Sequence, residues 1–169
     1  MANTIETERL VLRRLKHSDA ATFFEIVGNP LVMKHWAPGP DETEQDTAKR
    51  ILDINTHWDE HGFGDWAVVE KANNQLVGFS GLHFITNVKE VNIGYAFHPN
   101  CWREGFGFET CQAVLQFGFA TLELDTIVAV IAPENLASIR LAQKCGMQFW
   151  KQTTWAGNER VVHKKTRST

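Results

Sequence analysis

Apolar residues recur along this chain with two periods, which separate strands from helices. In residues 8–15, Leu10 and Leu12 share one side of an alternating pattern that is typical of a half-buried strand. Further apolar runs bounded by turn residues predict six more strands, over residues 65–71, 75–85, 91–97, 126–132, 147–155 and 159–165. The runs at 65–71 and 75–85 are separated by Ala72-Asn73-Asn74, so we expect them to pair.

Helical segments alternate with these strands. Ser18-Asp19 and Thr43-Asp46 precede two of them and can cap free N–H groups of a first turn. Glycines end the helices where the chain must turn sharply. The four predicted helices cover residues 19–28, residues 43–61, the apolar part of residues 98–114 and residues 135–146. The order β-α-α-β-β-β-α-β-α-β-β predicts one mixed α/β domain over residues 1–169.

Composition narrows the class of protein. The chain has 169 residues, 43% of them hydrophobic, and no apolar run approaches the roughly 18 residues of a membrane span. Its 17 Lys and Arg against 20 Asp and Glu give a net charge of −3, which argues against a broad nucleic-acid surface. The three cysteines fit neither a disulfide framework nor a zinc cluster, and the N-terminus has no signal pattern. We therefore expect a soluble cytoplasmic protein without membrane or nucleic-acid partners.

The segment HPNCWREGFGFETCQAV, residues 98–114, opens a helix with Gly105 and Gly107. Bare backbone at a helix N-terminus is typical of a site for an anion such as a phosphate. A P-loop needs Lys and Ser or Thr after the second glycine, and a dinucleotide-binding turn needs a small third residue where Thr110 stands. Both alternatives are weak, which leaves a pyrophosphate held by the N–H groups of residues 103–108.

The segments NIGYAFHPNCWREGFGFE and APENLASIRLAQKCGMQF together resemble the acetyl-CoA-binding core of the GNAT N-acetyltransferases, most closely the RimJ/RimL-like ribosomal-protein branch. The resemblance covers essentially the whole chain. Trp102 stands where the family's loop often has Gln or Arg, as is ordinary in that branch. The implied fold is the GNAT fold, with the sheet splayed between the strands at 91–97 and 126–132.

The resemblance also implies a cofactor site for acetyl-CoA and no metal. The pantetheine arm is expected along the strand that ends at Tyr95, Ala96 and Phe97, with Asn135 and Ser138 near its far end. The loop residues implied in cofactor binding are Trp102, Arg103, Glu104, Gly105, Phe106, Gly107 and Phe108.

For catalysis, the resemblance makes Ser138 the candidate acid, because Leu141 stands where many relatives carry a tyrosine. Relatives often have Glu where this chain has Asn92, and an amide cannot take a proton at neutral pH. A water chain and His83 are the alternative bases, with Glu70 further away. A poor base favours an α-amine, with a pKa near ~8, over a lysine amine near ~10.4.

Trp36 and Trp66 are the aromatic candidates for the acceptor side of the cleft, together with Asn92, although core packing explains Trp66 equally well. His57 and His61 have metalloprotease spacing, but Trp58 replaces the required Glu, so we expect a solvated helix end.

The predicted activity is acetyl transfer from acetyl-CoA to a primary amine, most simply a protein N-terminus. The alternatives are a small-molecule acceptor (polyamine, amino acid or antibiotic) and a non-catalytic acyl-CoA-binding module. Homodimers are common among relatives, and the sequence leaves the oligomeric state open.

Overall fold

A computed structural model describes residues 4–37 and 39–167. These residues form eight strands and four α-helices, with one-turn 3₁₀ helices at His17–Asp19 and Pro99–Cys101. In chain order the elements are β1 (Ile5–Glu6), β2 (Leu10–Arg13), α1 (Ala20–Val27), α2 (Glu44–His61), β3 (Asp65–Glu70), β4 (Gln75–Ile85), β5 (Glu90–Phe97), α3 (Phe106–Ala120), β6 (Thr126–Ile131), α4 (Leu136–Lys144), β7 (Gln148–Trp155) and β8 (Asn158–Thr166).

The strands form one mixed sheet in the order β1-β2-β3-β4-β5-β6-β8-β7. All neighbouring pairs are antiparallel except β5 and β6. The β5–β6 pairing comprises only Val91 with Ile127 and Asn92 with Val128, after which the two strands diverge. The predicted mixed α/β fold is therefore confirmed. The two-residue strand β1 was not predicted, because it is too short to show a period.

Side chains alternate across the sheet, so each face is covered by its own helices. On one face, Phe79 packs edge-on against Phe23 of α1, with ring centroids 5.5 Å apart. On the other face, a Cβ at Gly118 of α3 would lie 3.3 Å from Leu82. We call these the α2 face and the α3 face. The register of β4 with β5 places His83, Asn92 and Gly94 on the α2 face, together with Phe79.

Helix α2 is fixed at both ends by local chemistry. The hydroxyl of Thr43 accepts from the N–H of Asp46, whose carboxylate accepts from the N–H of Thr43. Gly62 then ends the helix in a left-handed conformation, with φ of 76°. None of the described helices is both long and apolar enough to cross a lipid bilayer.

Candidate functional site

The opening between β5 and β6 begins at Asn92. The buried side chain of Asn92 accepts a hydrogen bond of 2.8 Å from the backbone N–H of Val130 on β6. A side chain here replaces a backbone partner at the point where the two strands separate. Beyond it, residues 93–97 of β5 have no register partner on β6, so this edge of β5 is free to pair with an extended ligand.

Just beyond β5, the chain forms a cradle of N–H groups at the start of α3. Arg103 and Gly105 both have positive φ, of 69° and 84°. The first bond of α3 runs from the N–H of Glu109 to the carbonyl of Gly105, so the preceding N–H groups are those that a helix leaves unpaired. Gly105 supplies the left-handed turn that precedes the helix. Such a cradle suits an anion.

The second glycine of the loop has a packing role. A Cβ at Gly107 would lie 3.1 Å from Leu141 on α4 and 3.7 Å from Phe97 on β5. A contact of 3.1 Å is tighter than side chains normally allow, so the bare backbone lets α3 approach α4 closely. The indole N–H of Trp102 donates to the carbonyl of Phe97 at 2.8 Å, which ties the loop to the end of β5.

Arg9, in the turn between β1 and β2, contacts the same loop, and sequence reasoning missed this contact. Its guanidinium donates to the carbonyl of Glu104 and to the carboxylate of Glu109, each at 2.8 Å. It also lies over the ring of Phe106, 4.7 Å from the centroid. An Arg at the exposed start of a strand gives no sequence signal for a partner about 100 residues away.

The start of α4 lies beside β5 on the α3 face. The Asn135 side chain caps the helix by accepting from the N–H of Ser138 at 3.2 Å. The hydroxyl of Tyr95 donates to the carbonyl of Ser138 at 3.4 Å, and burial raises the pKa of Tyr95. Tyr95 therefore stays protonated near neutral pH. Among the predicted cofactor residues, Tyr95, Asn135 and Ser138 are brought together here. Ala96 is buried on the α2 face of the same strand, and Phe108 packs under the amine of Lys144.

His83 lies on the α2 face, opposite Asn92 in the β4–β5 register. Its Nε2 is 2.9 Å from a carboxylate oxygen of Asp65 on β3. Burial of the ring disfavours the charged form, but the Asp65 carboxylate outweighs burial and raises the pKa of His83. Asp65 was not predicted as a site residue.

His57 and His61 are not equivalent. His61 is exposed, as expected for a helix end, whereas the ring of His57 lies 5.1 Å from that of His83 and 5.8 Å from that of Phe63. Burial lowers the pKa of His57, and the nearby His83 and His61 lower it further. Within residues 4–37 and 39–167, no group of three His, Cys, Asp or Glu side chains is arranged to hold a metal ion.

The two tryptophans expected at the acceptor side are on different faces of the sheet. Trp36 covers Gly94 on the α2 face, where a Cβ on the glycine would lie 2.9 Å from its ring. Trp66 is fully buried and packs against Phe117 of α3, with ring centroids 5.2 Å apart. The expected substrate role of Trp66 is therefore replaced by core packing. The β-bulge between Val68 and Val69 sets the register in which Trp66 pairs with Ser80, on the α3 face, and not with Phe79.

Comparisons with known proteins agree with this geometry. A family model described as an acetyltransferase (GNAT) domain matches residues 9–148. The chain is 31% identical over 158 residues to the uncharacterized N-acetyltransferase YnaD of Bacillus subtilis, covering 92% of this chain and 90% of that protein.

It is also 29% identical over 145 residues to the spermidine N(1)-acetyltransferase of Vibrio cholerae, covering 82% of this chain and 78% of that protein. A GNAT-family acetyltransferase from Bacillus anthracis has the same fold. That structure superimposes with a TM-score of 0.83 at 26% identity, over 96% of this chain and 98% of the other.

Proposed function

The chain belongs to the GNAT family of acetyl-CoA-dependent N-acetyltransferases, and we propose that its acceptor is the α-amine of a protein N-terminus. Family membership favours an enzyme over the alternative of a non-catalytic acyl-CoA-binding module. The single observation that carries the choice of acceptor is that position 92 holds an asparagine, which cannot act as a base. The Asn92 side chain is committed to Val130, and the imidazole of His83 lies opposite Asn92 in the β4–β5 register.

The free edge of β5 and the cradle at α3 fit acetyl-CoA. The N–H groups of residues 103–108 suit its pyrophosphate, and the part of β5 beyond Asn92, which has no register partner on β6, offers a strand edge to its pantetheine arm. From Phe97 back to Asn92 the strand covers about 17 Å at roughly 3.3 Å per residue. A cofactor anchored at the loop and extended along this edge brings its thioester toward Asn92, where the strands rejoin.

The chain's own groups then act from both faces of the sheet. Acetyl-CoA supplies the acetyl group as a thioester, and the amine forms a C–N bond as the C–S bond breaks. His83, on the α2 face, accepts the proton that the amine nitrogen loses, and Ser138, on the α3 face, donates a proton to the departing thiolate. A free N–H of β5 polarises the thioester carbonyl. Trp36 and Asn92 border the acceptor side.

The pKa of the base decides between amine classes. At pH 7 an α-amine with a pKa near ~8 is about one-tenth neutral, whereas an alkyl amine near ~10.4 is neutral in well under one part in a thousand. An imidazole has an ordinary pKa of about 6.5, closer to that of the first ammonium than to that of the second, and Asp65 raises the pKa of His83. Position 92 carries no carboxylate, so this position offers no second base to help remove a proton from an alkyl ammonium.

A comparison of three acceptors tests the proposal. One is a peptide with a free N-terminus and no lysine; the second is the same peptide with a blocked N-terminus and one lysine; the third is spermidine. Release of the CoA thiol at pH 7 gives kcat/KM for each. We expect the α-amine peptide to exceed both others by about tenfold or more, given their difference in pKa. Preference for spermidine or for the lysine peptide contradicts the choice of acceptor, and no turnover with any amine contradicts the proposed activity.

A further inference from the structure

The carboxylate of Asp65 reaches His83 across a glycine. Asp65 on β3 is in register with Gly81 on β4, and His83 lies two residues further along the same face. A Cβ at Gly81 would overlap the Asp65 carboxylate. The bare backbone at Gly81 therefore opens the path by which the carboxylate lies over β4 and contacts the imidazole.

The position of Asp65 is fixed at its main chain as well. The indole N–H of Trp58, buried on α2, donates to the carbonyl of Asp65 at 2.8 Å. The Asp65 side chain is 12% exposed and that of His83 is 36% exposed. One end of the pair is thus anchored in the core, and the imidazole reaches an accessible surface on the α2 face.

The hydrogen bond determines which ring nitrogen of His83 is free. An ionised carboxylate only accepts, so Nε2 of His83 carries the proton and donates it to Asp65. The lone pair of the neutral ring is then on Nδ1, which has no protein partner among the described hydrogen bonds. Nδ1 is the atom available to take a proton.

The titratable groups that face His83 are Asp65 on β3 and His57 on α2, with His61 and Glu60 further along α2; the neighbour across β5 is the uncharged Asn92. The Nε2 atom of His57 is buried without a hydrogen-bond partner in the described part of the chain. Burial of His57, with the nearby His83 and His61, lowers its pKa below the ordinary value and so favours the neutral ring. Asp65 is therefore the counter-charge when His83 is protonated.

We propose that Asp65 is a positioning residue for acetyl transfer, which fixes the tautomer of His83 with its lone pair on Nδ1 and stabilises the imidazolium formed when His83 takes the amine proton. This rests on the proposed function, in which His83 is the base. Asp65 itself does not become protonated. The proton passes from the amine nitrogen to Nδ1 and later leaves from Nδ1 to solvent.

The sign of the pH dependence follows from this arrangement. His83 is active as a base only when neutral, so kcat/KM falls as the pH drops below the pKa of His83. Asp65 raises that pKa. Removing its charge in Asp65→Asn lowers the pKa of His83 and moves the acidic limb of the profile to lower pH. The plateau value of kcat also falls, because the amide no longer selects one tautomer. We expect about a 10-fold to 100-fold loss, as when the partner behind a functional imidazole is removed in metal sites.

Two measurements on the full chain test the proposal, with Asp53→Asn as the matched control. Asp53 is an exposed carboxylate of α2 that pairs with Lys49. NMR titration of the imidazoles, with His83 assigned from the His83→Gln spectrum, gives its pKa without any substrate. The pH profile of kcat/KM with the α-amine peptide gives the kinetic value. We expect both to fall in Asp65→Asn, by the same amount, and to stay unchanged in the control.

The outcomes separate this proposal from the proposed function. If wild-type protein transfers acetyl to no amine, the proposed function fails, while NMR still shows whether Asp65 sets the pKa of His83. If wild-type protein is active and neither the NMR pKa nor the acidic limb moves in Asp65→Asn, the positioning role is wrong. If Asp65→Asn melts below the assay temperature, Asp65→Glu replaces it in both measurements. A pKa of His83 above the ordinary imidazole value, with the acidic limb of kcat/KM at the same pH, supports the role, and a pKa at or below the ordinary value contradicts it.

Discussion

The loop that opens α3 offers the sharpest perturbation, because one of its glycines has a conformation that side chains rarely adopt. Gly105 has φ of 84° and caps α3, and its Cβ would lie 3.3 Å from the guanidinium of Arg9. Gly105→Val puts a β-branched side chain into this conformation, at the centre of the proposed pyrophosphate cradle. Gly157, in the turn between β7 and β8, has φ of 76° and nothing within 4 Å of its Cβ. Gly157→Val is therefore a control with matched strain.

Both variants lose stability through backbone strain, but only Gly105→Val is expected to lose binding free energy for acetyl-CoA. A left-handed conformation costs an L-residue about 1–2 kcal/mol, which lowers Tm by about 2–8 °C in a chain of this length. Both variants should show this loss. Only Gly105→Val also displaces N–H groups that would bond a charged phosphate, and losing one such bond costs about 1.5–3 kcal/mol. The dissociation constant for acetyl-CoA should therefore rise by roughly 10-fold to 150-fold.

Isothermal titration calorimetry with acetyl-CoA gives the affinity, and circular dichroism melts give Tm. We expect Gly157→Val to bind acetyl-CoA as the wild type does. If Gly105→Val melts like the control and keeps wild-type affinity, the cradle is not the pyrophosphate site. A loss of affinity of the same size in both variants would mean that global destabilisation, and not the loop, causes it.

Three further changes test other parts of the site. Arg9→Ala removes the hydrogen bond to the carbonyl of Glu104 and should weaken acetyl-CoA binding about fivefold, the equivalent of about 1 kcal/mol. Arg167 is an equally exposed Arg that pairs with Asp125 just after the end of β8. Arg167→Ala should therefore leave the calorimetric affinity unchanged. Ser138→Ala should lower kcat by about 10²–10⁴-fold at unchanged acetyl-CoA affinity, and intact turnover would assign the proton to water. Asn92→Leu leaves the N–H of Val130 unpaired at about 1–3 kcal/mol, and Asn92→Asp, which keeps an acceptor, should melt closer to the wild type.

Features that lie within one continuous segment could be predicted from the sequence. The caps of α2 and the glycine loop each depend on residues within a few positions of one another, so their spacing carries the signal. The order of the long strands followed from their alternating pattern and turns. Arg9 could not be found this way. Its contacts join residues about 100 positions apart, and neither end has a distinctive local pattern.

Which side chains face the acceptor side depends on the register of β3 with β4, and this register shifts by one residue partway along the two strands. Glu70 pairs with Gln75 beside the turn, and continuing that register would bring Trp66 opposite Phe79, on the α2 face with Trp36. The bulge between Val68 and Val69 shifts the pairing by one residue.

One residue of shift changes which β4 residues share a face with the β3 residues beyond the bulge, because side chains alternate along a strand. Trp66 therefore points into the core under α3, and Asp65 takes the α2 face opposite Gly81. It follows that the contact between Asp65 and His83 exists only in the bulged register, in which the carboxylate has a glycine to cross and an imidazole within reach.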